Sequence, residues 1–290
     1  MKSVVLCLLV STVVSGSDIV NLLACNNNTA CGVQHYHPHT PPTTGATTYI
    51  IGGREAVPHS WPWQALLKFR TSTITCGGTL IRGCNGELVV ITTAHCVDGT
   101  VAADWTVDTG VHSRSANEAS QKSYAVREII PHESFNPSYL LNDIAILKLA
   151  THVSESFEVQ PVCVSTLPTS DFFGKQCVIS GWGTTAEGGS PADKLQEVYV
   201  PVLTDADCSQ NIGGAFEPSY MLCAGDLLGG KGACQGDVGG PLACKNVNGQ
   251  WDLIGIVSWG FGCARPGFPA VYARVHNYLD WISTKTSAAQ

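Results

Sequence analysis

The sequence predicts an all-β fold with a single C-terminal helix, and three observations carry that expectation. Short β-rich apolar runs recur along the chain: "QALLKF" (64–69), "ELVVITTAHC" (87–96), "NDIAILKL" (142–149), "QCVISGWG" (176–183) and "WDLIGIVSWG" (251–260). Turn residues separate them, with 30 Gly and 15 Pro among 290 residues, the punctuation of short strands and not of helices. Only the last stretch, "ARVHNYLDWISTKT", places apolar residues at helical spacing, on Val275, Tyr278, Leu279 and Ile282, so one helix is expected to dock there on the β body. At 44% hydrophobic and 13% charged, the chain is long enough for one large core or two smaller fused ones.

The elements follow in order. Residues 1–16 carry one lysine, then "VVLCLLVSTVV", then small residues at Ser15-Gly16-Ser17. That is a signal peptide pattern, so the mature protein is expected to be secreted. The apolar region is too short to span a bilayer, and no second run is long enough to anchor the chain. Residues 17–49 are polar and rich in Pro and Thr, without periodicity, and are expected to form a flexible pro-segment. Asn27-Asn28-Thr29 within it is an acceptor pattern for N-glycosylation on Asn27. His35, His37 and His39 alternate, which in an extended chain puts them on one side, where they could hold a metal weakly. A solvated linker is the preferred reading, and no metal or other cofactor is expected. The folded domain is expected over 50–284, with 285–290 as a tail and no internal repeat.

Net charge is −7, with no basic run, so nucleic-acid binding is not expected. Of thirteen cysteines, Cys7 leaves with the leader and twelve remain. An even set scattered singly in a secreted chain suits disulfides better than zinc.

Three short motifs carry the chemistry. "TTAHC" supplies His95, "NDIAIL" supplies Asp143, and "GDVGGP" supplies position 238. Acyl transfer by such an array needs a base to take a hydroxyl proton and a buried carboxylate to fix the imidazole tautomer. Singly, each has a plain structural reading: a histidine packed beside a disulfide, an aspartate capping a strand. Together, with a Gly-rich turn, they point to a hydrolase site.

From Ile50 to about Thr284 the chain resembles the chymotrypsin/trypsin-type serine peptidases. The resemblance rests on "IIGG", "WPWQALL", "CGGTLI", "TTAHC", "NDIAILKL", "SGWG", "MLCAG", "GDVGGPL" and "SWG…GFPAVYARV", in the family's order. It implies two antiparallel six-stranded β-barrels with the cleft between them. His95 then matches the general base, Asp143 the orienting carboxylate and Ser258 the residue behind it. The N–H groups of Gly236 and Val238 match the oxyanion hole, a backbone device. Asp237 matches the carboxylate that receives the new α-ammonium of Ile50 after activation cleavage. The specificity pocket maps to Gly232, Ser258, Gly260 and Ala270: Gly232 at the floor has no charge to select Lys or Arg, so small or medium apolar side chains are expected.

Two positions depart from the family. Val238 stands where the nucleophilic serine belongs and has no oxygen to attack with. Tyr49 precedes Ile50, where trypsin-activated zymogens carry Arg or Lys. The expectation is therefore an inactive secreted homologue, monomeric, that binds peptides or proteins, with protease inhibitors and active proteases as candidate partners. Serine-type endopeptidase activity with apolar preference is the alternative. The resemblance further implies the bridges Cys76–Cys96, Cys177–Cys244, Cys208–Cys223 and Cys234–Cys263, and Cys31–Cys163 to the pro-segment. Cys25 and Cys84 are left over, and the resemblance does not assign their pairing. Val111 matches the first carboxylate of the family's calcium loop, so that metal is not predicted.

Overall fold

Side chains rich in Val, Ile, Leu and Trp, broken by turns every few residues, fold here into two β-barrels. The computed structural model describes residues 31–40, 52–70 and 76–287. The first barrel contains β2 (Gln64–Phe69), β3 (Cys76–Arg82), β4 (Leu88–Thr92), β5 (Trp105–Thr109), β6 (Lys122–Pro131) and β7 (Ala145–Leu149). It closes in the order β2-β3-β4-β7-β6-β5, all pairs antiparallel. β4 and β7 are buried along their whole length, which is why "LVVIT" and "AILKL" show no strict alternation, with Lys148 of β7 paired to Glu128 at 3.1 Å.

The second barrel contains β9 (Gln176–Gly181), β10 (Gln196–Pro201), β11 (Met221–Ala224), β12 (Pro241–Lys245), β13 (Trp251–Trp259) and β14 (Ala270–Arg274). Its sheet runs β10-β9-β12-β13-β14-β11. The ring closes less regularly than the first, through a Val202–Ala224 bridge and the bonds Leu203 N→Cys223 O at 3.0 Å and Gly225 N→Pro201 O at 3.1 Å. Two additions qualify the expected six-stranded, wholly antiparallel pattern. β1 (Arg54–Glu55) pairs with β10, and β8 (Cys163–Val164) pairs parallel with β13. β8 belongs to the connection between barrels. Its neighbour Val162 donates to Leu80 O of the first barrel at 3.0 Å, and Ser165 donates to Leu253 O of the second at 3.2 Å.

The first core and the contact between barrels share one apolar cluster containing Trp61, Trp63, Trp105, Trp182 and Trp251. The second barrel is filled by Phe172, Ile179, Val198, Val200, Leu222, Leu242, Ile254 and Tyr272. The C-terminal periodicity resolves into a 3₁₀ turn at Val275–Tyr278 followed by a helix at Leu279–Ser287. Val275, Tyr278, Leu279 and Ile282 are all buried. This helix runs past the expected boundary at 284: the Thr286 hydroxyl is buried and accepts from Cys84 N at 3.2 Å. Among the described residues the expected single helix has two short companions. Taken in chain order, α1 is Ala94–Val97, α2 is Asp205–Ile212 and α3 is Leu279–Ser287. α2 starts where Thr204 accepts from Asp207 N at 3.1 Å, with Asp205 and Asp207 in the first turn. Such a cap and acidic start satisfy orphan amides and suit the helix dipole.

Residues 31–40, expected within a flexible segment, are docked as a strap. Cys31 is bonded to Cys163, Gly32 N donates to Pro161 O at 2.9 Å and Trp251 N donates to Gly32 O at 3.0 Å. Gln34 bonds both the Trp251 indole and the Ser60 carbonyl. Tyr36 donates to Glu158 at 3.0 Å, and Tyr199 donates to the His39 carbonyl at 3.2 Å. The His35 ring packs on Phe157 at 4.4 Å, and no metal-binding group of His, Cys, Asp or Glu occurs among the described residues. Residues 1–30 and 41–51, with Asn27, Cys25, Tyr49 and Ile50, lie outside the described residues.

Among the described residues five bridges join both partners: Cys31–Cys163, Cys76–Cys96, Cys177–Cys244, Cys208–Cys223 and Cys234–Cys263. Cys84 is disulfide-bonded as well. Beside Val111, Glu118 turns its carboxylate onto the backbone N–H groups of His112 (2.6 Å) and Ser113 (3.3 Å), closing that loop on itself. Among the described residues no helix is long and apolar enough to cross a membrane.

Candidate functional site

His95 sits on α1, a single helical turn that follows β4. The Cys76–Cys96 bridge ties that turn to β3. Asp143 comes from the first barrel too, in the tight approach to β7, where Asn142 has a φ of 54°. The Asn142 side chain donates to Ser134 O at 2.9 Å and holds the turn. Asp143 is 1% exposed, and three donors converge on it. His95 N reaches Oδ1 at 2.9 Å, His95 Nδ1 reaches Oδ2 at 2.7 Å, and Ser258 Oγ donates to Oδ2 at 2.5 Å. A carboxylate can only accept, so Nδ1 carries the proton and Nε2 is the free base. The His95 side chain stays 30% exposed, open to whatever occupies the cleft.

Ser258 comes from the second barrel. The β13–β14 register shifts between Val257 and Trp259, so Ser258 is the bulged residue. A bulge turns a side chain off the regular alternation, and here it aims a hydroxyl across the barrel interface. The Ser258 hydroxyl is thus committed to Asp143, and that of Thr93, two residues before His95, donates to Cys96 Sγ at 3.0 Å.

Position 238 lies on a turn built by its own backbone. Asp237 N donates to Cys234 O at 3.0 Å, Gly240 N to Asp237 O at 2.9 Å, and Gly77 N to Val238 O at 2.7 Å. Gly239 has a φ of +83°, and a Cβ there would lie 2.2 Å from Thr92 Oγ1, so the turn requires glycine. Val238 is half-buried and packs on the first apolar cluster. Among the described residues, neither Gly236 N–H nor Val238 N–H donates to a protein acceptor.

Asp237 points inward. Its carboxylate accepts from Gly183 N at 2.8 Å and Cys234 N at 2.9 Å and is fully buried. Burial pushes its acid up to about 6, against the two amide bonds that favour the charged form. No cation reaches it among the described residues.

Beside Val238 opens a pocket of about 210 Å³. Ala233, Val257, Trp259, Gly260 and Ala270 are among its lining, and no lining residue is charged. The four positions expected there divide. Gly260 and Ala270 line the pocket, whereas Gly232 and Ser258 do not. Gly232 is buried against Ala264, the nearest side chain to any Cβ it would carry, at 3.5 Å. Ser258 is turned away by the bulge. Trp259 and Gln235 were not singled out from the sequence, although both flank motifs that were. A bidentate Arg265–Glu187 pair also ties the 183–191 loop to the 260–268 loop beside the pocket, a pairing 78 residues apart that no local pattern announces.

Chemically, the array offers an oriented imidazole base, two backbone amides without a protein acceptor among the described residues, and an apolar slot lined in part by the Val238 isopropyl group. The family model described as Trypsin matches residues 50–282. The chain is 38% identical over 262 residues to serine protease 56 of Homo sapiens, covering 89% of this chain and 42% of that protein. It is 42% identical over 245 residues to transmembrane protease serine 9 of Rattus norvegicus, covering 82% and 22%. It is 39% identical over 245 residues to trypsin-1 of Astacus astacus, covering 80% and 98%. The chain thus spans less than half the length of the first two relatives.

Proposed function

Because the chain belongs to the trypsin family of serine proteases, we propose that it is a secreted homologue that binds peptide or protein ligands in this cleft without cleaving them. One observation carries the reading: the nucleophile position is Val238. Nε2 of His95 can accept a proton, but no hydroxyl or thiol stands at that place to give one. Without the nucleophile, binding and the oxyanion amides leave a rate only ~10³–10⁴-fold above water, roughly a millionth of a full triad.

Binding is the function the remaining parts suit. A bound peptide carbonyl would accept from the Gly236 and Val238 amides, and its side chain would enter the uncharged 210 Å³ pocket. Small or medium apolar side chains fit that slot, and Lys or Arg would enter without a counter-charge. Cleavage after Tyr49 would free the Ile50 ammonium for Asp237. A buried carboxylate with no cation is the group such an ammonium stabilises most. The strap would stay attached afterwards through Cys31–Cys163. Inhibitors of proteases, or active proteases themselves, are partners this surface would take, with the protein acting as a monomer.

The rival reading is a serine-type endopeptidase with the same apolar preference. The intact His95–Asp143–Ser258 array favours it, since that array serves no purpose in binding alone. Covalent labelling of the cut wild-type cleft by a serine-directed fluorophosphonate would favour the peptidase and its absence the binder; Val238→Ser then tests whether the rest of the site is intact. If only the attacking oxygen is missing, the cut variant gains amidase activity on peptides with an apolar residue before the scissile bond. A variant as inert as the parent would show that the site has lost more than its nucleophile.

A further inference from the structure

The strap creates a second concavity, on the face of the second barrel that it crosses. The cleft measures about 300 Å³, at the small end of the ~300–1,000 Å³ range of ligand sites. It shares no lining residue with the pocket beside Val238. Trp251 and Tyr199 form a buried aromatic floor. Their polar atoms are already used: the Trp251 indole N–H goes to Gln34 at 2.7 Å, and the Tyr199 hydroxyl goes to the His39 carbonyl at 3.2 Å. What the floor offers a ligand is therefore its apolar ring surface.

The rim is different. His37, His39, Gln176 and Lys245 are exposed around the floor, and no carboxylate lines the cleft. The Lys245 ammonium lies 5.2 Å from the Trp251 ring centroid and has no ion-pair partner among the described residues. The carboxylate whose charge Tyr199 senses, Glu197, is buried and ion-paired with Arg54 at 2.9 Å. In a chain of net charge −7, this is a rim with one cation and several N–H donors and with no carboxylate among its lining.

We infer that the cleft binds an aromatic ring bearing a free carboxylate, the chemistry of a C-terminal aromatic residue. The ring lies on Trp251 and Tyr199. The carboxylate pairs with Lys245 and accepts from the imidazole N–H groups and the Gln176 amide at the rim. Two sources supply that chemistry. One is a separate peptide or small acid. The other is this chain itself: cleavage after Tyr49 would leave a tyrosine carboxylate at the end of residues 41–49, which follow Thr40 on the cleft wall and span at most about 30 Å extended.

The test is calorimetric titration of the full uncut chain with N-acetyl-tyrosine and, separately, N-acetyl-tyrosinamide. The acid is expected to bind at least tenfold more tightly than the amide. Lys245→Met should reduce the acid to the level of the amide, and Lys245→Arg should keep the preference, with unchanged melting in both variants. Equal binding of acid and amide, no binding of the acid, or indifference to Lys245→Met would each overturn the assignment. Protein cut after Tyr49 then distinguishes the sources. Loss of the added acid's binding assigns the cleft to the chain's own new end, and unchanged binding assigns it to a separate ligand.

Discussion

Ser258 gives its hydroxyl hydrogen to Oδ2 of Asp143 at 2.5 Å, the same oxygen that takes Nδ1–H of His95 at 2.7 Å. One residue comes from each barrel, so the bond fixes the barrels against each other at the point where the imidazole must be aimed. The β-bulge at Ser258 is what permits it.

That arrangement predicts how activity restored by Val238→Ser would depend on its neighbours. Adding Asp143→Asn should lower kcat by ~10⁴-fold, because an amide no longer selects the Nδ1–H tautomer. Adding Ser258→Ala should cost far less, about tenfold, since Asp143 keeps both His95 bonds and loses one of three donors. Steady-state kinetics on the double variants checks both. Equal losses would mean that Ser258 does more than support.

Asp237 predicts a pH-dependent difference between uncut and cut protein. In the uncut chain its acid is raised to about 6 from an ordinary 3.8, so the folded state holds the proton more tightly than the unfolded one. Its contribution is present below about pH 4 and is lost as pH rises through 6, about 3 kcal/mol for a shift of that size. An Ile50 ammonium would reverse this by stabilising the ionised form. The stability gained on cutting after Tyr49 should therefore grow between pH 4 and 7 in denaturant melts. A gain that is flat with pH would show that the ammonium does not reach Asp237.

Glu197 is buried between Arg54 at 2.9 Å and the Trp61 indole at 2.9 Å, and burial raises its acid despite both partners. Removing the cation should leave an uncompensated buried charge. Arg54→Met is expected to cost about 3 kcal/mol at pH 7. Part of that loss should return at a lower pH, as Glu197 takes up a proton. Urea melts at the two pH values measure this, and a loss independent of pH would assign the cost to packing alone.

Most of the site was legible because its residues sit inside short contiguous motifs. His95, Asp143, Asp237 and Val238 are each named by their immediate neighbours, and the paired cysteines follow from resemblance. What was not legible depends on contacts without a local signature. The strap is held by Gln34, Tyr36 and His39, each through bonds to residues far along the chain, so a Pro/Thr-rich stretch looked unstructured. Gly232 was assigned to the pocket by counting back from Val238 and Ser258 by resemblance; Gly232 is buried against Ala264, and the bulge that turns Ser258 toward Asp143 has no local signature. The α2 start was present in "TDAD" but competes with the β signal around it. The two-residue strands β1 and β8 are too short for any periodicity.

The central claim is chemical: this cleft lacks an atom that can attack a carbonyl. The most direct measurement compares wild-type chain, expressed free of other proteases and cut after Tyr49, with its Val238→Ser variant on one amide substrate with an apolar residue before the scissile bond. The account predicts wild-type turnover roughly 10⁵–10⁶-fold below the variant and no covalent labelling by a serine-directed fluorophosphonate. Wild-type turnover within a hundredfold of the variant, or labelling in the cleft, would contradict it.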